Sequence, residues 1–135
     1  MNAPTPAFLK EAIFLVDASS YLFRAYYAIM RPLHAPVGTP THATFGFLQM
    51  IQSLIDMHGL SHCVLVWDRP EKGFRHEIFP QYKANRTSPP EDLGLQLRNA
   101  REGSARLGIP QLDAPGFEAD DILATIIKKN PNSKF

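Results

Sequence analysis

Short apolar runs alternate with longer amphipathic segments along the chain. IFLVD (Ile13–Asp17) and HCVLVWD (His62–Asp68) are apolar through most of their length, and each ends in an acid. Such runs predict strands of a parallel sheet that are buried on both faces. IPQLDA (Ile109–Ala114) is less apolar and predicts a third, weaker strand.

The segments between these runs carry apolar residues at helical spacing. In one of them Phe47, Ile51 and Leu54 lie on one predicted helix face, and Gly59 follows as a C-cap. Strands and helices alternate three times, which predicts an α/β fold with a parallel sheet and helices on both of its faces. The predicted helices are Ala18–Ile29, Ala43–His58, Glu91–Leu107 and a last one that runs from the acidic stretch at Glu118 to near Asn130.

The composition is that of one globular domain. The chain has 135 residues, of which 44% are hydrophobic and 20% are charged. Its net charge of +1 means that any nucleic-acid signal must come from local clusters. The single cysteine, Cys63, excludes an internal disulfide and is typical of a core residue in a reducing compartment.

The sequence contains no targeting or membrane signal. No apolar run approaches the roughly 20 residues that a membrane span needs. Residues 1–11 predict a flexible leader, because they lack the basic start and apolar block of a secretory signal. A cytoplasmic protein is therefore expected.

Acidic residues follow each predicted strand. Asp17 ends the first strand and Asp68 the second, while Glu118, Asp120 and Asp121 come after the third and a short turn. Because ligands of open α/β sheets bind beyond the carboxyl ends of the strands, all five carboxylates are expected at one edge. Each acid taken alone is explained as well by helix capping or, for Asp68, by a turn.

Taken together, the five carboxylates favour a metal site. Carboxylates gathered at one edge repel one another, and a divalent cation neutralises them. The His and Cys residues are not spaced for zinc, whereas oxygen ligands suit Mg²⁺ or Mn²⁺. Paired ions about 3.5–4 Å apart stabilise both the attacking and the leaving oxygen of a phosphodiester displacement. The residues therefore indicate metal-assisted phosphodiester hydrolysis.

The stretch Arg69–Pro90 is basic and aromatic. Up to Arg86 it has five basic and two acidic residues, a local net charge of +3, and its prolines exclude one uninterrupted helix. Such a stretch is typical of a surface that follows phosphates and stacks bases. It is equally typical of an amphipathic surface segment whose aromatic rings pack on the core. The second interpretation is favoured for Phe79, and phosphate contact for Lys83 and Arg86.

Four strings, in this order and spacing, carry a family resemblance: FLVDASSYLFRAYYA, VLVWD, FRHEIFPQYKANR and GFEADDILATI. Over roughly residues 12–130 the chain resembles the 5′-nuclease domain of bacterial DNA polymerase I and the free-standing 5′–3′ exonucleases and flap endonucleases. The resemblance implies a PIN-like α/β fold that binds Mg²⁺ or Mn²⁺. It also implies cleavage of DNA with single-stranded 5′ ends or flaps, in primer removal and repair.

The resemblance implies roles for individual residues. The family's metal ligands match five acids, namely Asp17, Asp68, Glu118, Asp120 and Asp121. Lys83 and Arg86 match basic residues that contact the reacting phosphate, which gives them a catalytic and a DNA-binding role. DNA binding is also expected of Arg75 and Tyr82 in the basic stretch.

Arg24 and Tyr27 lie one helical turn apart on the helix that follows Asp17. The resemblance implies that this helix contacts DNA at the active edge. From the residues alone, the pair either presents a cation and a ring at that edge or simply covers the core.

The resemblance covers the N-terminal part of such a nuclease domain, residues 12–135, truncated after the third strand–helix unit. The family continues with another strand that bears a further pair of aspartates, so slow or absent hydrolysis is expected of this chain. Two other functions stay open, a non-catalytic nucleic-acid-binding module and a PIN-type ribonuclease. A monomer without a membrane partner, associated with the bacterial nucleoid, is expected.

Overall fold

The structure, a computed structural model, describes residues 11–29 and 31–135. Residues 1–10, which make up most of the predicted leader, lie outside the described residues. Strands and helices alternate broadly as the apolar pattern predicts. Within the described ranges the elements are β1 (Ile13–Asp17), α1 (Ala18–Ala28), α2 (His42–His58), β2 (His62–Val66), α3 (Phe74–Ile78), α4 (Glu91–Arg106), β3 (Gln111–Leu112) and α5 (Ala119–Lys129).

The strands form one parallel sheet in the order β1-β2-β3. β1 and β2 pair over their whole length, from Ile13 opposite His62 to Asp17 opposite Val66. β3 pairs with β2 at only two positions, because its sequence is the least apolar of the three. The predicted α/β class with a parallel sheet is confirmed.

The hydrophobic core lies between the sheet and helices α1, α2 and α4. Phe47 of α2 and Trp67, directly after β2, are both fully buried, with ring centroids 5.3 Å apart. Gly46 allows α2 to approach the end of α1 closely, since a Cβ at this position would lie 2.6 Å from Ile29 Cδ1. The rows of apolar residues read from the sequence therefore face one another across this layer.

Helix α5 covers the opposite face of the sheet. Successive side chains of a strand point to opposite faces, so Ile13 and Leu15 face away from the core that contains Val16. Ile13 and Leu15 line a cleft of about 430 Å³ together with Leu123 and Ile127 of α5. Helices thus lie on both faces of the sheet, as predicted.

The basic stretch forms a helix that the sequence did not predict, α3. This helix ends at Ile78, and its C-cap Phe79 directly precedes Pro80, which cannot continue the helix. The stretch contacts the rest of the domain through Phe74, whose ring centroid lies 5.8 Å from that of Phe117. Phe79 is 56% exposed, so the expectation that it packs on the core is wrong. Across the described residues, the structure has no helix with the length and apolar content of a membrane span.

Candidate metal and phosphate site

Asp17 ends β1 and is the N-cap of α1. Its carboxylate accepts hydrogen bonds from the backbone N–H of Ser20 at 3.0 Å and from the Ser20 hydroxyl at 2.8 Å. The helix-capping interpretation is therefore confirmed at this position. Capping also fixes the carboxylate at the carboxyl edge of the sheet, because the helix follows the strand without an intervening loop.

Asp68 lies two residues beyond β2 and connects the starts of two helices. Its backbone N–H donates to Ser19 Oγ of α1 at 2.9 Å. Its Oδ1 accepts from the backbone N–H of Ala119, the first residue of α5, at 2.7 Å. A carboxylate is favoured at a helix N-terminus. These bonds hold β2, α1 and α5 at the edge where the sequence predicts that the acids meet.

Glu118 and Asp121 begin α5 in a capping box, in which the backbone N–H of Glu118 donates to Asp121 Oδ2 at 3.0 Å. Asp121 also accepts two hydrogen bonds from the terminal nitrogens of Arg75, at 2.7 and 2.6 Å. The hydrogen bonds from Arg75 lower the pKa of Asp121 below its ordinary value, against the opposing effect of burial.

Glu118 faces a second cation. Its carboxylate accepts from Lys83 Nζ at 2.7 Å and from the Tyr82 hydroxyl at 3.4 Å, and Arg75 Nη1 lies 3.8 Å away. Burial by itself raises the pKa of Glu118, but the hydrogen bond and charge of Lys83, with the charge of Arg75, bring it below the ordinary value.

Glu118, Arg75 and Lys83 line a cleft of about 250 Å³ between the basic stretch and the turn before α5. Aromatic rings support its cations, since Arg75 lies 4.7 Å from the centroid of the Phe74 ring and Lys83 lies 5.1 Å from that of Tyr82. The cleft brings Arg75, Tyr82 and Lys83, which the resemblance assigns to DNA, into contact with two of the acids that it assigns to a metal.

Five residues of the predicted site take no part in the contacts around this cleft: Asp17, Asp120, Arg86, Arg24 and Tyr27. Asp120 is exposed on the first turn of α5. Arg24 lies 5.6 Å from the centroid of the Tyr21 ring. Tyr27 is 63% exposed and packs against Phe23. These contacts lie within α1 and do not test whether Arg24 and Tyr27 bind DNA, so both assignments stay predictions.

The acids lie at one edge of the sheet, but within the described residues they do not form a preformed metal-binding site. Across residues 11–29 and 31–135, no three His, Cys, Asp or Glu side chains are grouped so that they could hold a metal ion. Glu118 and Asp121 are turned toward Lys83 and Arg75 instead. Their all-oxygen chemistry fits a hard divalent cation, but a cation at these carboxylates competes with two side-chain cations. The metal-ligand assignment stays a prediction.

Three polar residues of this edge were not identified from the sequence in the roles that they have. Ser19 accepts from the backbone of Asp68, and Arg75 was predicted to bind DNA rather than an acid 46 positions away. Asp113 follows β3 at the same edge, but Arg101 and Arg69 hold it at 2.8 and 3.7 Å. A sequence signal exists only for Asp113, which follows a strand as Asp17 and Asp68 do.

A parallel sheet with helices on both faces defines an open α/β domain, a class in which ligands bind beyond the carboxyl ends of the strands. The chain also matches one family model over residues 12–135, that of the 5′-3′ exonuclease N-terminal resolvase-like domain. The chain therefore belongs to this family.

Individual relatives agree with the family model. The chain is 37% identical to a 5′-3′ exonuclease of Aquifex aeolicus over 119 residues, which cover 88% of this chain and 41% of that protein. It is 41% identical to DNA polymerase I of Pseudomonas aeruginosa over 121 residues, which cover 90% of this chain and 13% of the polymerase. The chain thus spans about two fifths of the exonuclease and a smaller part of the polymerase.

Solved structures share the fold. The T5 D15 protein, co-crystallised with metal ions, matches with a TM-score of 0.62 at 23% identity over 88% of this chain and 44% of its own. The T5 5′-exonuclease with bound zinc matches with a TM-score of 0.60 at 21% identity, over 89% of this chain and 45% of its own. At these identities the likeness concerns the fold alone.

Proposed function

We propose that the chain is the N-terminal part of a metal-dependent 5′–3′ exonuclease and flap endonuclease that hydrolyses DNA phosphodiester bonds. The observation that carries this proposal is the contact between the basic stretch and the acid cluster. Lys83 donates to Glu118 at a cleft that Arg75 also lines, and Arg75 donates to Asp121 beside it. Cations that suit a phosphate and carboxylates that suit a metal are thus adjacent, an arrangement that suits metal-assisted phosphodiester hydrolysis.

Five acids would hold the metal: Asp17, Asp68, Glu118, Asp120 and Asp121. Bound Mg²⁺ or Mn²⁺ would supply Lewis-acid stabilisation of the phosphate oxygens and a water of lowered pKa. The protein's part is to orient these carboxylates. Asp17 and Asp68 are fixed by hydrogen bonds from the starts of α1 and α5, and Glu118 and Asp121 by the capping box. The T5 D15 protein co-crystallised with metal ions and the T5 5′-exonuclease with bound zinc support a divalent cation in this fold.

The basic stretch would bind the substrate strand. Lys83 and Arg86 would contact backbone phosphates, and the half-exposed ring of Tyr82 would stack on an unpaired base. Arg24 and Tyr27 would add a cation and a ring on α1. DNA with a single-stranded 5′ end or flap offers both unpaired bases and phosphates. We further propose that the protein is monomeric and works in the bacterial cytoplasm, on nucleoid DNA.

The test is cleavage of a labelled 5′-flap DNA with the protein in excess, in Mg²⁺, in Mn²⁺ and in EDTA. We expect slow, metal-dependent release of 5′ products. Loss of a residue that only supports a metal ligand typically reduces activity by roughly 10–100-fold. Asp68→Asn and Asp120→Asn remove proposed ligands themselves, so each should reduce cleavage by more than this. The amide oxygen introduced by Asp68→Asn can still accept from Ala119, so circular dichroism should report an intact fold.

Asp113→Asn is the matched control, since Asp113 lies at the same edge but is held by two arginines. Its cleavage should equal that of the wild type. Undiminished cleavage by Asp68→Asn or Asp120→Asn would refute the metal assignment. DNA binding in EDTA without turnover in Mn²⁺ would identify a non-catalytic binding module, and faster cleavage of a matched RNA flap would identify a ribonuclease.

A further inference from the structure

Lys83 and Arg86 are two cations of the same loop with different surroundings. Lys83 Nζ donates to Glu118 Oε1 at 2.7 Å. Arg86 is exposed, and among the described residues no acidic side chain pairs with it. The resemblance assigns both residues to the substrate phosphates. In the structure, only Arg86 is available for that contact, because the ammonium of Lys83 is already engaged by an acid.

The backbone of Lys83 is also unusual. Its φ of 58° places it in the left-handed region, and no other non-glycine residue of the described chain has a positive φ. This conformation costs a residue with a Cβ about 1–2 kcal/mol. Strained backbone of this kind persists where the surrounding contacts over-determine it, often at functional sites. The contacts of Lys83 with Glu118 and with the Tyr82 ring offset part of this cost.

We propose that Lys83 is an exchangeable counter-ion, which neutralises Glu118 in the metal-free chain and is released to a DNA phosphate when a divalent cation binds Glu118. This inference rests on the proposed function and adds a coupling between the two ligands. The physical reason is competition for one carboxylate. Lys83 Nζ pairs with the Glu118 carboxylate at 2.7 Å, and a dication at the same oxygens repels the ammonium.

Arg75 is held more firmly than Lys83. It binds Asp121 through two parallel hydrogen bonds and lies against the Phe74 ring, whereas Lys83 makes one hydrogen bond to Glu118. Paired bonds from a planar guanidinium fix both distance and orientation. Arg75 therefore keeps α3 against α5 while Lys83 exchanges its partner.

The first experiment measures Mn²⁺ binding to the DNA-free protein by calorimetry. Lys83→Met should tighten Mn²⁺ binding by about fivefold, because Mn²⁺ no longer displaces an ammonium whose attraction to one carboxylate charge about 4 Å away in water has this magnitude. Arg86→Met, which removes the same charge from a position without an acidic partner, should leave Mn²⁺ affinity unchanged. Equal Mn²⁺ affinity of the wild type and Lys83→Met would overturn the proposal.

The second experiment measures binding of a single-stranded oligonucleotide in EDTA as a function of salt. Each phosphate contact contributes about 0.7 to the slope of log affinity against log salt. Arg86→Met should make the salt dependence shallower by this amount. Lys83→Met should leave it unchanged, because Lys83 is already paired with Glu118. Glu118→Gln should make the salt dependence steeper by about 0.7, because it frees Lys83 to contact a phosphate.

The double variant Glu118→Gln/Lys83→Met separates release of Lys83 from a general loss of negative charge. Its slope should return to that of the wild type. A slope that stays raised, or a Lys83→Met slope as low as that of Arg86→Met, would overturn the proposal. Failure of the wild type to bind either Mn²⁺ or DNA would instead refute the proposed function on which this inference rests.

Discussion

Trp67 and Asp68 are neighbours in the chain but belong to two regions that are held by different forces. Trp67 is fully buried, packs on Phe47, and donates from Nε1 to Gln111 at 2.8 Å. Asp68 is exposed and accepts from the backbone of Ala119, 51 positions further along the chain. One step along the chain therefore leads from a layer fixed by apolar packing to an edge fixed by polar contacts between distant segments.

The difference shows where each region draws its stability. The packed layer gains free energy from burial of apolar surface, roughly 25 cal/mol for each Å². The edge gathers carboxylates that repel one another, and it is stable because helix starts and two cations, Arg75 and Lys83, neutralise them. Substitutions in the layer should therefore lower stability most, whereas substitutions at the edge should lower it less and also affect ligand binding.

The largest effect is expected in the packed layer. Phe47→Ala should lower the free energy of unfolding by about 3–5 kcal/mol, because it leaves a cavity against Trp67. Urea unfolding followed by the fluorescence of Trp67, the single tryptophan, measures this change. Phe45→Ala is the matched control, since Phe45 is on the same helix but 52% exposed. Equal losses in the two variants would contradict the assignment of Phe47 to the core.

The next effect is expected where the basic stretch meets the turn before α5. A Cβ at Gly73 would clash with the carbonyl oxygen of Gly116, which also accepts from the backbone of Phe74 at 3.3 Å. Gly73→Ala should therefore cost about 1–3 kcal/mol of stability. It should also weaken Mn²⁺ and DNA binding, because the stretch that carries Lys83 must shift.

Gly94→Ala is the control for this substitution. Gly94 lies inside α4, and a Cβ there meets no atom within 4 Å. Alanine should stabilise the helix by roughly 0.5–1 kcal/mol. The two glycine substitutions should thus shift the midpoint of thermal unfolding in opposite directions. A stabilised Gly73→Ala variant would show that the stretch does not dock closely on the turn.

A smaller effect, with a defined pH dependence, is expected at Arg75. The pKa of Asp121 is lower in the folded than in the unfolded chain, mainly because Arg75 donates to it. Its contribution to stability is therefore complete above the ordinary value of 3.8 and is lost as the pH falls through the lowered value. Arg75→Gln should lower the midpoint of thermal unfolding at neutral pH, and the difference from the wild type should shrink in acid.

Arg106→Gln is the control for the pH experiment. Its partner Glu102 lies on the same helix, and both side chains are mostly exposed, so its removal should change the unfolding midpoint little at any pH. A difference between wild type and Arg75→Gln that grows as the pH falls would contradict the assigned partnership with Asp121.

Much of the packed layer could be predicted from the sequence. The helix face that bears Phe47 and Ile51 and the apolar run His62–Asp68 follow from periodicity, which is a local property of the chain. The capping role of Asp17 was predicted for the same reason, because a cap and its helix are adjacent. The short helix α3 was not predicted, since five residues are too few to show a period.

The contacts of the edge could be predicted only in part. That the acids lie beyond the strands follows from the topology of parallel sheets. Which cation meets which acid does not, because Arg75 and Asp121 or Lys83 and Glu118 are joined by tertiary structure alone. Phe79 illustrates the same limit, since an aromatic residue in an amphipathic stretch predicts burial and the docking through Phe74 leaves it exposed.

The smallest effect is expected when Tyr82 loses only its hydroxyl. Tyr82→Phe removes a hydroxyl 3.4 Å from Glu118 but keeps the ring against His76 and Lys83, with centroid distances of 5.4 and 5.1 Å. A hydrogen bond of this length is weak, so single-stranded DNA binding should change by less than about 0.5 kcal/mol. Tyr82→Ala also removes the stacking surface and should cost about 1–3 kcal/mol. Fluorescence anisotropy compares the two variants, and equal losses would assign the role of Tyr82 to its hydroxyl rather than its ring.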